Sequence, residues 1–488
     1  MAGNKTRKIY EVFSDLLYYA FFFFAVILMV LYFHDAYFDI MEAKAGLFFK
    51  ACDLLLPFMV ILTIAKCISR QLFRKSIILD LPVVLFLISA SVSTFNSYSI
   101  NNAYTGDQGW YVGYKVILFL VMSFLALKDR NRDNRIILFF LYLVFVFECG
   151  ISILTVFDID LLKMREGLSL SSFYSYYGTI GNSNWFAGYL SLLVPFILCK
   201  YFLSENRIEA IAFCVLSFLG ILVSVIIGVD SIYLACAFCI PLILPTILAE
   251  LSNIRKLSGL LSILFLTMFI FQKSGAAFSY FALLDGISLF LFRYSLILFF
   301  INSIVFISSC FIKKESYQNI RKRIIVIAEV VYLISLIMAA IILSRHVEAD
   351  WGSHRIELWS LSLKAFKNFT PFMKIFGIGP EMLRNIYAPM SSKYGIVYNV
   401  SHSEPIQVLL TMGISGLLTW LFSWASVLMG FIKEIKSHDQ QKICLYAGLF
   451  AYFGQALVNS ATLTNIVHLL CFAIFISQAE NQIGRAHV

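Results

Sequence analysis

Along this chain apolar residues come in long unbroken blocks, not in the alternation of half-buried strands or the narrow stripes of surface helices. Fourteen such blocks stand at about 17–34, 47–65, 77–95, 114–127, 136–157, 185–203, 208–228, 231–249, 258–272, 284–312, 324–344, 406–432, 443–459 and 466–479. A helix needs about 20 apolar residues, within a range of about 17–25, to cross a hydrocarbon core about 30 Å thick. In lipid only helices and closed barrels satisfy their own backbone hydrogen bonds, and blocks of this length predict helices. The expected fold is therefore all-α, a polytopic transmembrane helical bundle of 12–14 spans. Residues 1–482 form a single transmembrane domain in this reading. The least regular block is 284–312, where Arg293 interrupts the apolar run.

The polar positions between blocks fall into two kinds. Short connectors are basic: Lys5, Arg7 and Lys8; Lys66, Arg70, Arg74 and Lys75; Lys128, Arg130, Arg132 and Arg135; Arg255 and Lys256; Lys313, Lys314, Arg321, Lys322 and Arg323; Lys433, Lys436 and Lys442. All lie on one side if the N-terminus is cytoplasmic, which is the positive-inside pattern. The longer connections, about 96–113, 158–184 and above all 345–405, then lie on the extracytoplasmic side. Function concentrates in long loops. Neither an internal repeat nor a soluble domain with its own core is visible.

Composition sharpens this picture. The chain is 60% hydrophobic and 14% charged, against about 45–50% and about 25% in soluble domains. The net charge of +9 would suit a nucleic acid, but the basic residues sit in connectors, so no nucleic-acid partner is expected. The ten cysteines lie in or beside spans, which implies no disulfide framework. Cys236 and Cys239 form a C-x-x-C inside an apolar block and read as small packing residues. The first block, Leu17 to Phe33, has no small-residue cleavage site and reads as the first span. Residues 483–488, Ile-Gly-Arg-Ala-His-Val, resemble a translated sequencing adapter and are set aside as a suspected non-native tail.

Candidate chemistry concentrates in the 345–405 loop. Ser353 is expected to cap a helix running to about Phe369. Ile356, Trp359, Leu363 and Phe366 recur at helical spacing, with Arg355, Glu357, Ser360, Lys364 and Lys367 polar. Such a helix either lies at the membrane surface or packs on the bundle. Phe376-Gly-Ile-Gly-Pro380 follows as a turn. Val400-Ser-His-Ser-Glu-Pro405 then opens the next span, with Pro405 in its first turn. His402 would stand beside a helix N-terminus, where anions are favoured. His402 and Glu404 are candidate proton acceptors, although a lone histidine is more often structural. Arg355 and Arg384 in the loop, and Arg293 in its span, have the forks that suit phosphate oxygens; Arg293 also fits a side chain snorkelling to the interface. A second cluster, Tyr176-Tyr-Gly-Thr-Ile-Gly-Asn182-Ser-Asn184-Trp-Phe-Ala-Gly-Tyr189, offers amides and aromatic rings for a sugar or isoprenyl phosphate. Its alternative is an interfacial aromatic belt with helix-capping asparagine. The predicted outer loops carry no acidic D-x-D pair and no metal-spaced histidine set, so no metal and no cofactor is expected.

These stretches resemble the bacterial O-antigen ligase and O-antigen polymerase family. Gly181-Asn-Ser-Asn-Trp-Phe-Ala-Gly-Tyr-Leu190 with Pro195 is similar to its G-N-x-N-x-x-A-x-Y-L…P stretch. Arg355-Ile-Glu-Leu-Trp359, Phe376-Gly-Ile-Gly379, Ser401-His402 and Gly413-Ile-Ser-Gly416 are similar, in order, to its R-x-x-x-W, G-x-G, H-[NS] and G-x-x-G elements. Phe453-Gly-Gln-Ala-Leu-Val-Asn459 resembles its next-to-last span. The resemblance covers about 180–480. It implies a bundle loosely similar to the integral-membrane GT-C-type glycosyltransferases. The donor would be a glycan on polyprenyl (undecaprenyl) diphosphate, the acceptor a sugar hydroxyl on a lipid A core or on another lipid-linked repeat. The family histidine maps to His402 and its loop arginine to Arg355, with Glu404 a competing base. Arg293, Arg384, Asn182, Asn184 and Trp359 are the expected binding residues. One departure stands out: where the ligases carry an S-R pair, this chain has Val229-Asp-Ser-Ile-Tyr233. The rival reading is a transporter, such as a flippase for lipid-linked oligosaccharides, to which Lys50, Asp53, Asp80 and Glu148 in early spans would belong.

Overall fold

The computed structural model describes residues 2–68, 77–106, 110–128, 132–274, 280, 284, 286–346, 351–437 and 439–478. They are almost entirely helical: α1 Ala2–Phe23, running through a π-helical turn Phe24–Leu28 to Leu31; α2 Ile40–Ile68; α3 Ile77–Phe95; α4 Ile100–Thr105; α5 Tyr114–Leu127; α6 Arg135–Val156; α7 Ser183–Leu203; α8 Arg207–Ile226; α9 Asp230–Ala249; α10 Leu251–Lys273; α11 Gly286–Arg293; α12 Ser295–Phe311; α13 Lys314–His346; α14 Trp351–Asn368; α15 Pro371–Phe376; α16 Arg384–Tyr394; α17 Glu404–Ser437; α18 Gln440–Ala456; and α19 Leu463–Ser477. Every predicted block lies on helix over most of its length. Among the described residues eight helices are long and apolar enough to cross a membrane, and nine if a bent pair counts as one span. The protein is a polytopic helical membrane protein. Helices α3, α5 and α19 are apolar but shorter, so the count of fourteen spans rests on blocks of unequal length.

The bent pair corrects the sequence reading of 284–312. It is not one helix: α11 ends at Arg293, and α12 leaves at 67° after Tyr294. An arginine inside an apolar run ends the helix there, with its own side chain exposed. The predicted 483–488 tail, and Arg70, Arg74, Lys75 and Arg130 of the basic connectors, lie outside the described residues.

By internal contacts the chain forms two compact units, each assembled from segments distant in sequence. One comprises Met1–Val144, Ala349–Lys442 and Ala456–Val488; the other comprises Phe145–Glu348 and Ile443–Gln455. In the first, α2 packs on α5 and α3 packs on α17. Charges inside this apolar unit are paired. Asp80 of α3 and Lys128 at the end of α5 form a fully buried ion pair, while the Lys44 amine caps α1 by donating to the carbonyls of Met29, Val30 and Tyr32 at 2.8–3.0 Å. An isolated buried charge is expensive, and these partners are what makes each tolerable. In the second unit α7 packs on α8 and α9, and α10 runs against α12. Its only β-structure among the described residues is a two-stranded ribbon, Tyr176–Tyr177 with Gly181–Asn182.

The long connection before α17 holds α14, α15 and α16. It is packed by a buried hydrophobic cluster that it shares with the bundle. Leu358, Ile378, Met382, Leu383, Tyr387, Met390 and Tyr398 form one buried cluster, joined by Ala103 of α4 and Leu410 of α17.

Candidate functional site

Helix α14 begins at Trp351, two residues before the predicted cap, and its buried face follows the predicted apolar stripe only in part, Trp359 and Phe366 packing against the loop cluster. Ile356 and Leu363 are exposed. The inward positions are Arg355, Leu358 and Ser362, all buried and spaced i, i+3, i+7 on one face. The loop core selects this face, because Leu358 belongs to its cluster and the Ser362 hydroxyl bonds that of Tyr387 at 2.7 Å. Arg355 is carried inside on the same face. Trp359, one turn further on, packs at the edge of the cluster and donates its indole N–H to the Ser401 carbonyl at 2.9 Å.

A second tie fixes the loop to α17. That helix is broken at Gly413 (φ 68°, ψ −165°), which frees carbonyls in the turn before it. Ile378 N–H donates to Leu410 O at 3.2 Å, and Gly379 N–H to Thr411 O at 3.0 Å. Thr411 O also accepts from the Ser93 hydroxyl of α3. Gly377 (φ 79°) and Gly413 lie where a Cβ would overlap the facing backbone, at Thr411 and Ile375 respectively. The G-x-G and G-x-x-G elements thus have a structural job here, letting two backbones touch so that the freed carbonyls find donors.

His402 sits between these anchors, just ahead of α17, with φ +49°. A non-glycine residue in the left-handed region is strained and persists only where its surroundings over-determine it. The surroundings do so. Ser401 N–H and Oγ both donate toward Gln407 Oε1, at 2.9 and 3.1 Å. Glu404 N–H donates to the Asn459 carbonyl at 3.1 Å. The Trp110 ring meets the His402 ring edge-on, centroids 5.9 Å apart. His402 is half-buried, and its Nδ1 is enclosed with no hydrogen-bond partner among the described residues. Burial, and secondly the Arg355 charge, push its pKa down to about 4, with the Asn459 side chain acting in the opposite direction. The ring is therefore neutral near pH 7. Cationic surroundings contribute to the low value, but the larger cause is desolvation.

The structure thus brings together four predicted residues, His402, Arg355, Glu404 and Trp359, in one unit. Glu404 is buried as the first residue of α17. Arg384 opens α16 with an exposed side chain. Arg293, Asn182 and Asn184 belong to the other unit. There Asn182 caps α7, its side-chain oxygen accepting from Asn184 N–H at 2.9 Å, which is the capping role weighed as the alternative. Nearby, Thr179 donates its N–H to the Glu148 carboxylate at 2.9 Å.

Sequence alone does not single out two of the contributors. Trp110 gives no signal, being one aromatic in a connector far from His402 in the chain. Asn459 opens Asn459-Ser-Ala-Thr-Leu-Thr-Asn465, a polar stretch between apolar blocks, and that stretch is the available clue. On the opposite side of α14 a groove of about 190 Å³ is lined by Glu357, Ser360, Lys364 and Lys393, with Leu361, Pro389 and Met390. Hydrogen bonds from Tyr394, and then from Lys393, hold the Glu357 carboxyl below its ordinary pKa, and His354 stacks on Tyr394 at 4.0 Å. No family model matches this chain, and comparison with curated proteins gives no match.

Proposed function

We propose that this protein is a membrane glycan transferase of the O-antigen ligase or polymerase kind. It would move a glycan from a polyprenyl-diphosphate donor to an acceptor hydroxyl at the outer face of a bacterial cytoplasmic membrane. The observation that carries the reading is a neutral, half-buried histidine whose Nδ1 has no partner among the described residues, set beside a buried arginine. In the proposed step the acceptor oxygen attacks the anomeric carbon of the donor sugar, and the bond from that carbon to the diphosphate oxygen breaks. The acceptor proton passes to His402, and the diphosphate leaves as an anion against the Arg355 guanidinium. An anion on Arg355 would also cancel the charge that depresses His402, so the ring becomes a better base when donor is present.

The transporter reading is less well supported. Of the early-span charges it would use, Asp80 is paired with Lys128, Asp53 with Lys115 at 2.6 Å, and Glu148 with Thr179. These are local structural pairs.

The test is an in vitro transfer assay on purified, correctly folded protein. His402→Ala should keep donor binding and slow transfer by about 10²–10⁴, the usual worth of a general base. Near-normal turnover would remove His402 from the mechanism and move the base to Glu404. Reporter fusions at Lys314 and Ala388 should report opposite sides of the membrane; the same side for both would overturn the topology.

A further inference from the structure

We infer that the groove between α14 and α16 is a subsite for an acidic sugar, a ring bearing one carboxylate, within the glycan that the protein handles. That the sugar belongs to a transferred glycan rests on the transfer reading above. The chemistry of the groove does not.

Both walls come from one unit. Glu357, Ser360, Leu361 and Lys364 line the groove from α14, spaced i, i+3, i+4 and i+7 on a single helix face. Pro389, Met390 and Lys393 line it from α16. Its volume of about 190 Å³ is below the roughly 300–1,000 Å³ of a drug-sized pocket, which suits one ring and not an extended chain.

One end of the groove is held rigidly. Lys393 Nζ donates to Glu357 Oε1 at 2.9 Å and to Oε2 at 3.2 Å, and the Tyr394 hydroxyl donates to Oε2 at 2.7 Å. The Lys393 ammonium also lies over the Tyr394 ring, 4.6 Å from its centroid, and His354 stacks on that ring at 4.0 Å. The bonds from Tyr394 and then Lys393 keep the Glu357 carboxyl ionised. The other end is open. Lys364 is exposed and makes neither an ion pair nor a hydrogen bond among the described residues. It stands about 10 Å along the helix from Glu357, at 1.5 Å per residue, and a helical side chain leans back over the turn before it.

This layout tells one ligand class from another. Two ammonium groups face one carboxylate, so one positive charge is left over, at Lys364. A site built for phosphate alone would gather cations and keep carboxylates away, because like charges repel. Here an ionised carboxylate is part of the wall, and with the Ser360 hydroxyl it offers bonds to neutral hydroxyls. Leu361, Pro389 and Met390 add apolar surface. An anion for Lys364, hydroxyls for Glu357 and Ser360, and an apolar ring face for the rest are found together in an acidic sugar. A lipid head-group phosphate supplies only the first.

The experiment titrates the full-length protein, with methyl-labelled methionine, against methyl glucuronoside, methyl glucoside and glycerol phosphate. NMR follows the Met390 methyl, so no transfer activity is needed. The glucuronoside should shift this signal and bind several-fold more tightly than either of the other two. Lys364→Gln should weaken glucuronoside binding about fivefold, the upper end for an exposed ion pair, and leave the glucoside unchanged. Lys364→Arg should retain binding. The inference is overturned if the glucuronoside does not bind, binds no better than the glucoside, or binds Lys364→Gln as well as the unmodified protein. Glycerol phosphate binding as tightly as the glucuronoside also overturns it, and makes the groove a head-group site. In the transfer assay Lys364→Gln should raise KM for a donor whose glycan carries an acidic sugar, with kcat and the use of a neutral donor unchanged. Glucuronoside binding as expected with normal transfer by His402→Ala would sink the His402 chemistry and leave the subsite standing. Absent binding with an inactive His402→Ala would do the reverse.

Discussion

Two stretches of this protein carry polar residues just ahead of a membrane helix, and they use them differently. Ahead of α7, the polar groups bond one another and the neighbouring α6: Asn182 caps the helix through Asn184 N–H, Tyr177 pairs with Gly181 in the ribbon, and Thr179 bonds Glu148. Ahead of α17, the polar groups serve a neighbour instead. Trp359, Gln407 and Asn459 hold the segment 401–404 from three directions. The residue they surround keeps a ring nitrogen without a hydrogen-bond partner among the described residues. A stretch whose hydrogen bonds serve a cap, a ribbon and the neighbouring α6 is a piece of scaffold. A stretch whose scaffold leaves one reactive atom unfilled is a candidate site.

The comparison can be sharpened by substitution. After His402→Ala, the largest effect is expected at Arg355. Arg355→Lys should reduce transfer by about 10–100-fold, the worth of a hydrogen bond to a charged group, because a point charge does not replace the planar fork. Arg355→Gln removes the charge that lowers His402, so the acid limb of its pH–rate profile should move to higher pH, measured with whatever activity remains. Trp359→Phe keeps the ring and loses only the bond to Ser401 O. It should cost about 1 kcal/mol of loop stability and lower turnover several-fold, read by thermal unfolding and by the transfer assay. Asn182→Ala should also cost about 1 kcal/mol, the value of a helix cap, yet leave turnover of the folded protein near normal. A loss as deep as that of His402→Ala would erase the distinction between the two stretches. The smallest effect is expected at His354, whose stack on Tyr394 is worth about 0.5–1.5 kcal/mol; His354→Ala should transfer within about twofold of the unmodified protein, although it is the immediate neighbour of Arg355.

The site is partly legible in the sequence. Ser401-His402 before Pro405 can be placed at a helix start from local signals alone, and Glu404 does open α17. The apolar stripe of α14 is only half right, Trp359 and Phe366 packing on the loop cluster while Ile356 and Leu363 are exposed, because the periodicity of these four is nearly as good as that of the inward Arg355, Leu358 and Ser362. In a membrane protein either face can be apolar, one toward lipid and one toward protein, so the pattern does not say which is buried. The G-x-G and G-x-x-G elements are visible as turns, but not as two parts of one backbone contact. Their meeting depends on α17 breaking at Gly413 and exposing carbonyls to a turn that lies well before it in the chain.

What the sequence by itself determined is the class of molecule: long apolar blocks form membrane helices because crossing length and backbone satisfaction are properties of each segment alone. The tertiary structure decided which polar residues meet. Arg355 faces inward because Leu358 found the loop core, and the 284–312 block is two helices because the chain turns at Tyr294. His402 is neutral because burial, to which Trp110 contributes, and the charge of Arg355 reach it from separate parts of the chain. Desolvation and charge act through space, so no local window of sequence contains them.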